Sequence, residues 1–131
     1  MDQSSYSFSK SINLSFENTL AKVTENLQKE GFGILTEIDV KETLKKKLDV
    51  DFRKYIILGA CNPPYAYKAL QNEEQIGLML PCNVIVYESG HGETVVAAID
   101  PIASMMAVEN EDLGTIAREI QAKLKNVIEN L

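Results

Sequence analysis

Two apolar segments joined by five residues, four of them of turn composition, constrain the fold of this chain most. Residues 82–88 and 94–99 have the apolar and β-branched composition of strands. Between them, Ser89-Gly90-His91-Gly92 has the composition of a hairpin turn. Because so short a connection joins only antiparallel neighbours, the fold must contain an antiparallel sheet around this hairpin.

Three further segments have strand patterns. From Tyr6 to Leu14, apolar residues at even positions alternate with serines and an asparagine, and Lys10 is the single break in the alternation. Residues 32–38 form a second candidate strand, and residues 54–61 a third that is apolar on both faces. With the hairpin, these segments predict five strands.

Helical patterns separate the strands. Ser15 can cap a helix over about residues 16–30, which Gly31 would end, and Asp39 with Glu42 forms a capping-box pattern before a second. Asn62-Pro63-Pro64 predicts a third helix that runs to about Leu80, and Asp100-Pro101 a short fourth. An apolar stripe from residue 113 to residue 131 predicts a long terminal helix.

These elements predict an α+β fold: a mostly antiparallel five-stranded sheet with helices packed on one face. No repeat or linker divides the chain, so residues 1–131 should form a single domain. Residues 55–61 and 82–87 are apolar on both sides. We therefore expect a second copy of the chain to cover the other face of the sheet, giving a homodimer.

Charge and hydropathy exclude several functions. With 13 basic and 19 acidic residues the net charge is −6, which disfavours nucleic-acid binding. Residues 1–5 lack the features of a signal peptide, and the longest apolar stretch, 76–87, is shorter than the roughly 20 residues of a membrane span. These features predict a soluble cytoplasmic protein without a membrane partner. The lysines of the second helix are expected to form its solvated face.

Cys61 and Cys82 form the one candidate site. Two cysteines are too few for a disulfide framework or a structural zinc site, so we predict no metal. Because Cys61 ends one predicted strand and Cys82 begins the next, the two should meet at one edge of the sheet. Cys61 also precedes a helix start, where the helix dipole would lower a thiol pKa below its ordinary value of about 8.5. The alternative is that both are small, buried hydrophobic residues.

Other candidate side chains are better explained structurally. His91 lies at the hairpin tip, roughly 20 Å from Cys82 along the strand, so a Cys-His hydrolase is disfavoured. Asp39 and Asp100 are expected to be helix caps rather than catalytic acids. Three methionines, Met79, Met105 and Met106, are expected to fill the core.

Three motifs in order resemble the bacterial and archaeal family called domain of unknown function 302. They are the segment from Gly59 to Leu70 with its Cys61-Asn62-Pro63, the segment Leu80-Pro81-Cys82-Asn83-Val84, and Ile99-Asp100-Pro101. The resemblance covers about residues 6–130. It implies a small α+β domain with a curved antiparallel sheet, similar in outline to TATA-binding-protein-like folds, and a dimer. It assigns no role to the cysteines.

The first functional hypothesis is a homodimeric binding module for a small ligand or anion. Its pocket would be formed by Cys61, Asn62, Pro63, Leu80, Cys82 and Asn83. The second is a thiol-based redox or sulfur-transfer protein, with Cys61 as thiolate and Cys82 as resolving partner. The third is a structural dimer that binds another protein. The sequence identifies no cofactor, and it favours a non-enzymatic role without deciding the question.

Overall fold

The central hairpin is the middle of a fully antiparallel sheet in the computed structural model, which describes residues 1–131. The strands are β1 (Asp2–Gln3), β2 (Ser7–Ile12), β3 (Gly33–Asp39), β4 (Tyr55–Cys61), β5 (Cys82–Glu88) and β6 (Thr94–Ile99). The helices are α1 (Phe16–Lys29), α2 (Val40–Leu48), α3 (Pro63–Asn72), α4 (Pro101–Ser104) and α5 (Glu111–Glu129), and a 3₁₀ turn spans Ile76–Met79. The predicted α+β class is confirmed.

The sheet has six strands rather than the predicted five, in the order β1-β2-β6-β5-β4-β3. The additional strand, β1, pairs with β2 through Asp2 opposite Ser9. Its two exposed residues are too few to produce an alternating pattern, which is why the sequence did not predict it. The sheet is open, with β1 and β3 as its edges.

Helix α3 ends at Asn72, well before the predicted end near Leu80. Glu73 and Glu74 follow, and carboxylates are unfavourable at the negative end of a helix dipole. The chain then bends into the 3₁₀ turn, which buries Ile76 completely. The predicted caps are confirmed elsewhere: the side chains of Ser15, Asp39 and Asp100 each accept a backbone N–H at a helix start.

The core lies between the sheet and the long helices α1 and α5. Strand side chains that face the helices are buried, as Phe8, Val84 and Val96 show. Lys10 also lies on this side, because it pairs with Val96, and its Nζ donates to the backbone oxygens of Glu129 and Leu131. Lys10 therefore interrupts the apolar alternation of β2 because its side chain binds backbone carbonyl groups at the C-terminus of α5.

The opposite side of the sheet, called the open face below, carries no charged side chain on strands β2, β4, β5 and β6. Its outward positions on β2, β4, β5 and β6 follow from the strand register. They are Ser7, Ser9, Ser11, Tyr55, Ile57, Gly59, Asn83, Ile85, Tyr87, Val95, Ala97 and Ile99. Most are half-buried. Tyr55 and Tyr87 stack here with ring centroids 5.2 Å apart.

Glycine is required at position 59 of the open face because Thr36 and Pro81 pack directly against it. A Cβ at this position would collide with the Thr36 hydroxyl and lie 2.8 Å from Cγ of Pro81. The close approach of Pro81 fixes the start of β5 against β4.

No helix of the protein is both long and apolar enough to cross a membrane.

Two surface predictions have different outcomes. The lysines of α2 are solvated as expected: Lys45 pairs with Asp49, Lys46 pairs with Glu42, and no residue of α2 is buried. The methionine prediction is correct only for Met105, which is buried. Met79 and Met106 are 37% and 76% exposed, because the core ends before the loops that carry them.

Candidate functional site

A small apolar cavity lies where β4 ends, β5 begins and α3 packs against α5. Its enclosed part is about 30 Å³, enough for one or two water molecules, and with its open mouth it reaches about 370 Å³. Eleven of its 13 lining residues are hydrophobic. The lining consists of Phe32, Ala60, Cys61, Asn62, Tyr65, Ala66, Ala69, Leu80, Pro81, Cys82, Met105, Ile116 and Ile120.

Four of the six predicted pocket residues, Cys61, Asn62, Leu80 and Cys82, line this cavity. The other two lie outside it. Pro63 is exposed at the first position of α3, and Asn83 is exposed on the open face, where it borders a separate groove. Asn83 points away because successive residues of a strand face opposite sides of the sheet.

Asn62 joins two elements instead of capping α3 with its side chain. It is 6% exposed, and its Nδ2 donates to the Glu30 carbonyl at 3.1 Å. Gly31, beside it, has a φ of +87°, and a Cβ there would lie 3.2 Å from Nδ2 of Asn62. The amide thus ties the end of α1 to the start of α3, and the predicted side-chain cap at Asn62 is absent.

The first four residues of α3 offer no free backbone N–H to an anion. Pro63 and Pro64 have no N–H, and the N–H groups of Tyr65 and Ala66 both donate to the Asn62 carbonyl. Anion binding at a helix N-terminus depends on unpaired N–H groups. The local geometry therefore favours an uncharged ligand over the anion that the sequence also allowed.

The two cysteines are free and belong to neighbouring strands. Cys82 lies opposite Ala60, so Cys61 is one residue beyond the direct partner position. Since consecutive strand residues point to opposite faces, the two side chains do not form an aligned cross-strand pair.

The pKa of both thiols is raised, which contradicts the lowering expected for Cys61 from the helix dipole. Desolvation raises the pKa of Cys61. Desolvation, and to a smaller extent repulsion from Cys61, raises the pKa of Cys82 to about 11. The prolines explain part of the difference, because the N–H groups that would stabilise a thiolate at this helix start are missing or already bonded. Neutral thiols are weak nucleophiles.

Tyr65 stands at the mouth of the cavity between charged groups. Lys68 and Lys123 place their Nζ atoms 5.6 Å and 5.9 Å from the ring centroid. Partial burial raises the pKa of Tyr65, and a hydrogen bond with Glu119 raises it further. The phenol therefore stays protonated, and because its hydrogen is directed to Glu119, its oxygen can accept a hydrogen bond at the rim.

The remaining candidates have structural positions. His91 is exposed in the hairpin turn, as predicted. Asp100 caps α4 and also accepts a hydrogen bond from Gln121. No three His, Cys, Asp or Glu side chains come together in a cluster that could hold a metal ion.

Sequence reasoning missed most of the cavity wall. Met105, Ile116 and Ile120 come from α4, α5 and their connection, far along the chain from the cysteine motifs. The apolar stripe of the terminal helix was visible in the sequence, but the place where it crosses the sheet was not.

Comparison with known proteins gives a family and a fold. The family model described as "Domain of unknown function DUF302" matches residues 8–131. The crystal structure of an uncharacterized conserved DUF302 protein from Bacillus stearothermophilus is similar over 94% of this chain and 95% of that one, with a TM-score of 0.87 and 28% sequence identity. A search of the curated proteins finds no match.

Proposed function

The chain belongs to the family of the domain of unknown function DUF302, and from this premise we propose that it is a dimeric binding module for a small apolar ligand. The observation that carries the proposal is the cavity beside Cys61 and Cys82. Its enclosed volume of about 30 Å³ lies well below the roughly 300–1,000 Å³ of drug-sized pockets, so the cavity would hold only one end of a small ligand. The ordered apolar wall and the few polar groups at the rim fit this class of site.

The size and polarity of the cavity restrict its occupant. The enclosed 30 Å³ admits only a methyl- or ethyl-sized group, so the rest of the ligand would occupy the mouth beside Tyr65. The Tyr65 hydroxyl oxygen supplies one acceptor for a polar end of the ligand, because its hydrogen is bonded to Glu119. Neutral thiols at Cys61 and Cys82 favour binding over thiol exchange, because exchange requires a thiolate.

Filling the cavity tests this function. Small neutral probes, namely benzene, indole and butanol, would be titrated into the isotope-labelled protein while backbone amide shifts are recorded by NMR. We expect saturable shifts at Ala66, Cys82 and Ile120, and their loss in Ala66→Phe. The matched control is Ala21→Phe, an exposed alanine on α1. Absence of saturable shifts with all three probes, or unchanged shifts in Ala66→Phe, would refute the proposal.

The open face supports the dimer. Charged residues make up 24% of the chain, yet none occupies the twelve outward positions of this face. Four strands at about 4.8 Å spacing and six residues at about 3.3 Å give a face of roughly 400 Å². Two such faces together amount to roughly 800 Å², which is below the roughly 1,000 Å² of a stable specific interface and corresponds to a weak dimer.

The dimer is tested by placing a charge on this face. Ile85→Lys should convert a dimer to a monomer in sedimentation equilibrium, because the lysine would be buried without a partner. Leu48→Lys, on exposed α2, should leave the dimer intact. A monomeric unmodified protein at micromolar concentration would contradict the proposal.

The two free cysteines also favour a reducing compartment such as the cytoplasm.

A further inference from the structure

A second surface, distinct from the cavity and the open face, combines exposed apolar side chains with acidic ones. It is called the acidic groove below and lies between the 3₁₀ turn and the connection from α4 to α5, with a volume of about 390 Å³. Ile76, Leu78, Met79 and Val108 provide its apolar part, and Glu73 and Glu109 lie on its rim.

The groove is held by specific contacts. The side chain of Asn110 donates from Nδ2 to the Asn72 carbonyl at 3.0 Å, which joins the two walls. The same side chain caps α5 by accepting the N–H of Asp112. Ile76 at the base is fully buried, whereas Leu78 is 82% exposed. An exposed leucine of this degree, beside the 37% exposed Met79 in the same groove, leaves apolar surface without a partner within the chain.

The charge around the groove has one sign. Residues 69–117 contain eight acidic residues and no lysine or arginine, although the whole chain has 13 basic residues. Glu73, Glu74 and Glu109 therefore have no basic neighbour along this stretch, and none takes part in an ion pair. The groove combines an apolar floor with a negative rim.

We propose that the acidic groove binds a basic amphipathic helix of another protein. Leucine or methionine side chains spaced i, i+3, i+4 and i+7 would occupy the apolar part, and lysines or arginines flanking them would face the glutamates. Methionine side chains adapt to different apolar partners because they are flexible and polarizable. This interaction goes beyond the proposed ligand binding and does not depend on it.

Two other occupants fit the groove less well. An anionic membrane surface would be repelled by the glutamates. A second copy of the chain carries a net charge of −6, and two lysines of its basic helix α2 are already paired with acidic residues of their own chain. Complementary charge thus selects a cationic partner from outside.

The probe for the experiment is a fluorescent peptide of about 16 residues made of leucine and lysine, with leucines at i, i+3, i+4 and i+7. Two comparison peptides are needed: one with the same composition in scrambled order, and one with glutamate in place of lysine. Binding to the full chain would be followed by fluorescence anisotropy. We expect the amphipathic cationic peptide to bind most tightly and to weaken from about 50 to about 300 mM salt.

Variants of the chain locate the site. Leu78→Ser with Met79→Ser should weaken binding by about tenfold or more, as expected for the loss of central apolar contacts. Glu73→Gln with Glu109→Gln should weaken it several-fold and reduce its salt dependence. Leu48→Ser and Glu37→Gln, which change an exposed leucine and an exposed glutamate elsewhere, should have no effect. Circular dichroism checks that each variant is folded.

Three results would overturn the proposal. They are equal binding of the scrambled peptide, equal binding by the groove variants, and self-association of the chain that depends on Leu78. Binding of anionic vesicles in a Leu78-dependent manner would reassign the groove to a lipid surface.

Discussion

Cys82 should react with an alkylating reagent far more slowly in the folded protein than in the unfolded chain. Its pKa is raised from 9.0 to about 11, with desolvation as the main cause. At pH 7.5 the thiolate fraction would fall from about 3% to about 0.03%, a factor of about 100. The greater nucleophilicity of a thiolate with a higher pKa recovers roughly tenfold. A decrease in rate of about tenfold or more remains.

The assay is iodoacetamide labelling at pH 7.5 with and without urea, followed by trypsin digestion and mass spectrometry. Cleavage after Lys54, Lys68 and Arg118 places Cys61 and Cys82 in different peptides, so each rate is measured separately in the same sample. Cys61, with its raised pKa, should also be slowed. If the folded and unfolded proteins label Cys82 at the same rate, the argument from burial is wrong.

The same shift predicts how stability depends on alkaline pH. Because the native pKa of Cys82 lies above that of the unfolded chain, the unfolded chain releases its proton first as pH rises. The contribution of the neutral Cys82 thiol to the free energy of unfolding is fully present below about pH 9. It is lost between about pH 9 and 11, by at most about 2–3 kcal/mol. The free energy of unfolding, measured with urea, should fall less steeply with pH over this range in Cys82→Ala than in the unmodified protein. Equal pH dependence of the two proteins would contradict the assignment.

Three substitutions test the packing described above, each by urea unfolding monitored by circular dichroism. Gly59→Ala should cost about 1–3 kcal/mol from overpacking, whereas Gly33→Ala, with no atom near the added methyl group, should be close to neutral; similar losses for both would contradict the close approach. Asn62→Ala should cost about 1–3 kcal/mol because the half-buried hydrogen bond to the Glu30 carbonyl is lost, and an unchanged midpoint would show that this bond does not stabilise the fold. Leu124→Ala, at a fully buried position, should cost about 2–5 kcal/mol, and a loss below about 1 kcal/mol would place this residue outside the core.

Local patterns predicted the parts of the fold that depend on neighbouring residues. The helix starts at Ser15, Asp39 and Asp100 were found because a cap and the N–H that it accepts lie within three residues of each other. The hairpin at His91 was found for the same reason. β1 was missed because two residues carry no periodicity, and the early end of α3 because apolar spacing continues past Asn72 although the helix does not.

The candidate site was only partly predictable because its properties arise between distant segments. The placement of Cys61, at the end of β4, and Cys82, at the start of β5, at the same end of the two strands followed from strand order. The sign of the Cys61 pKa shift did not, because it depends on burial and on which N–H groups at the start of α3 are already bonded. The wall contributed by Ile116 and Ile120 required the crossing position of α5, which no local pattern contains.

The two edges of the sheet restrict how copies of this chain can polymerise. β1 is only two residues long, and β3 has a register shift between Ile34 and Thr36 that leaves Leu35 outside the ladder. A short strand and a bulge both hinder the addition of a further strand from another molecule. Lateral growth into a fibril is therefore disfavoured at both edges of the sheet, and an assembly formed through the open face would be complete at two copies.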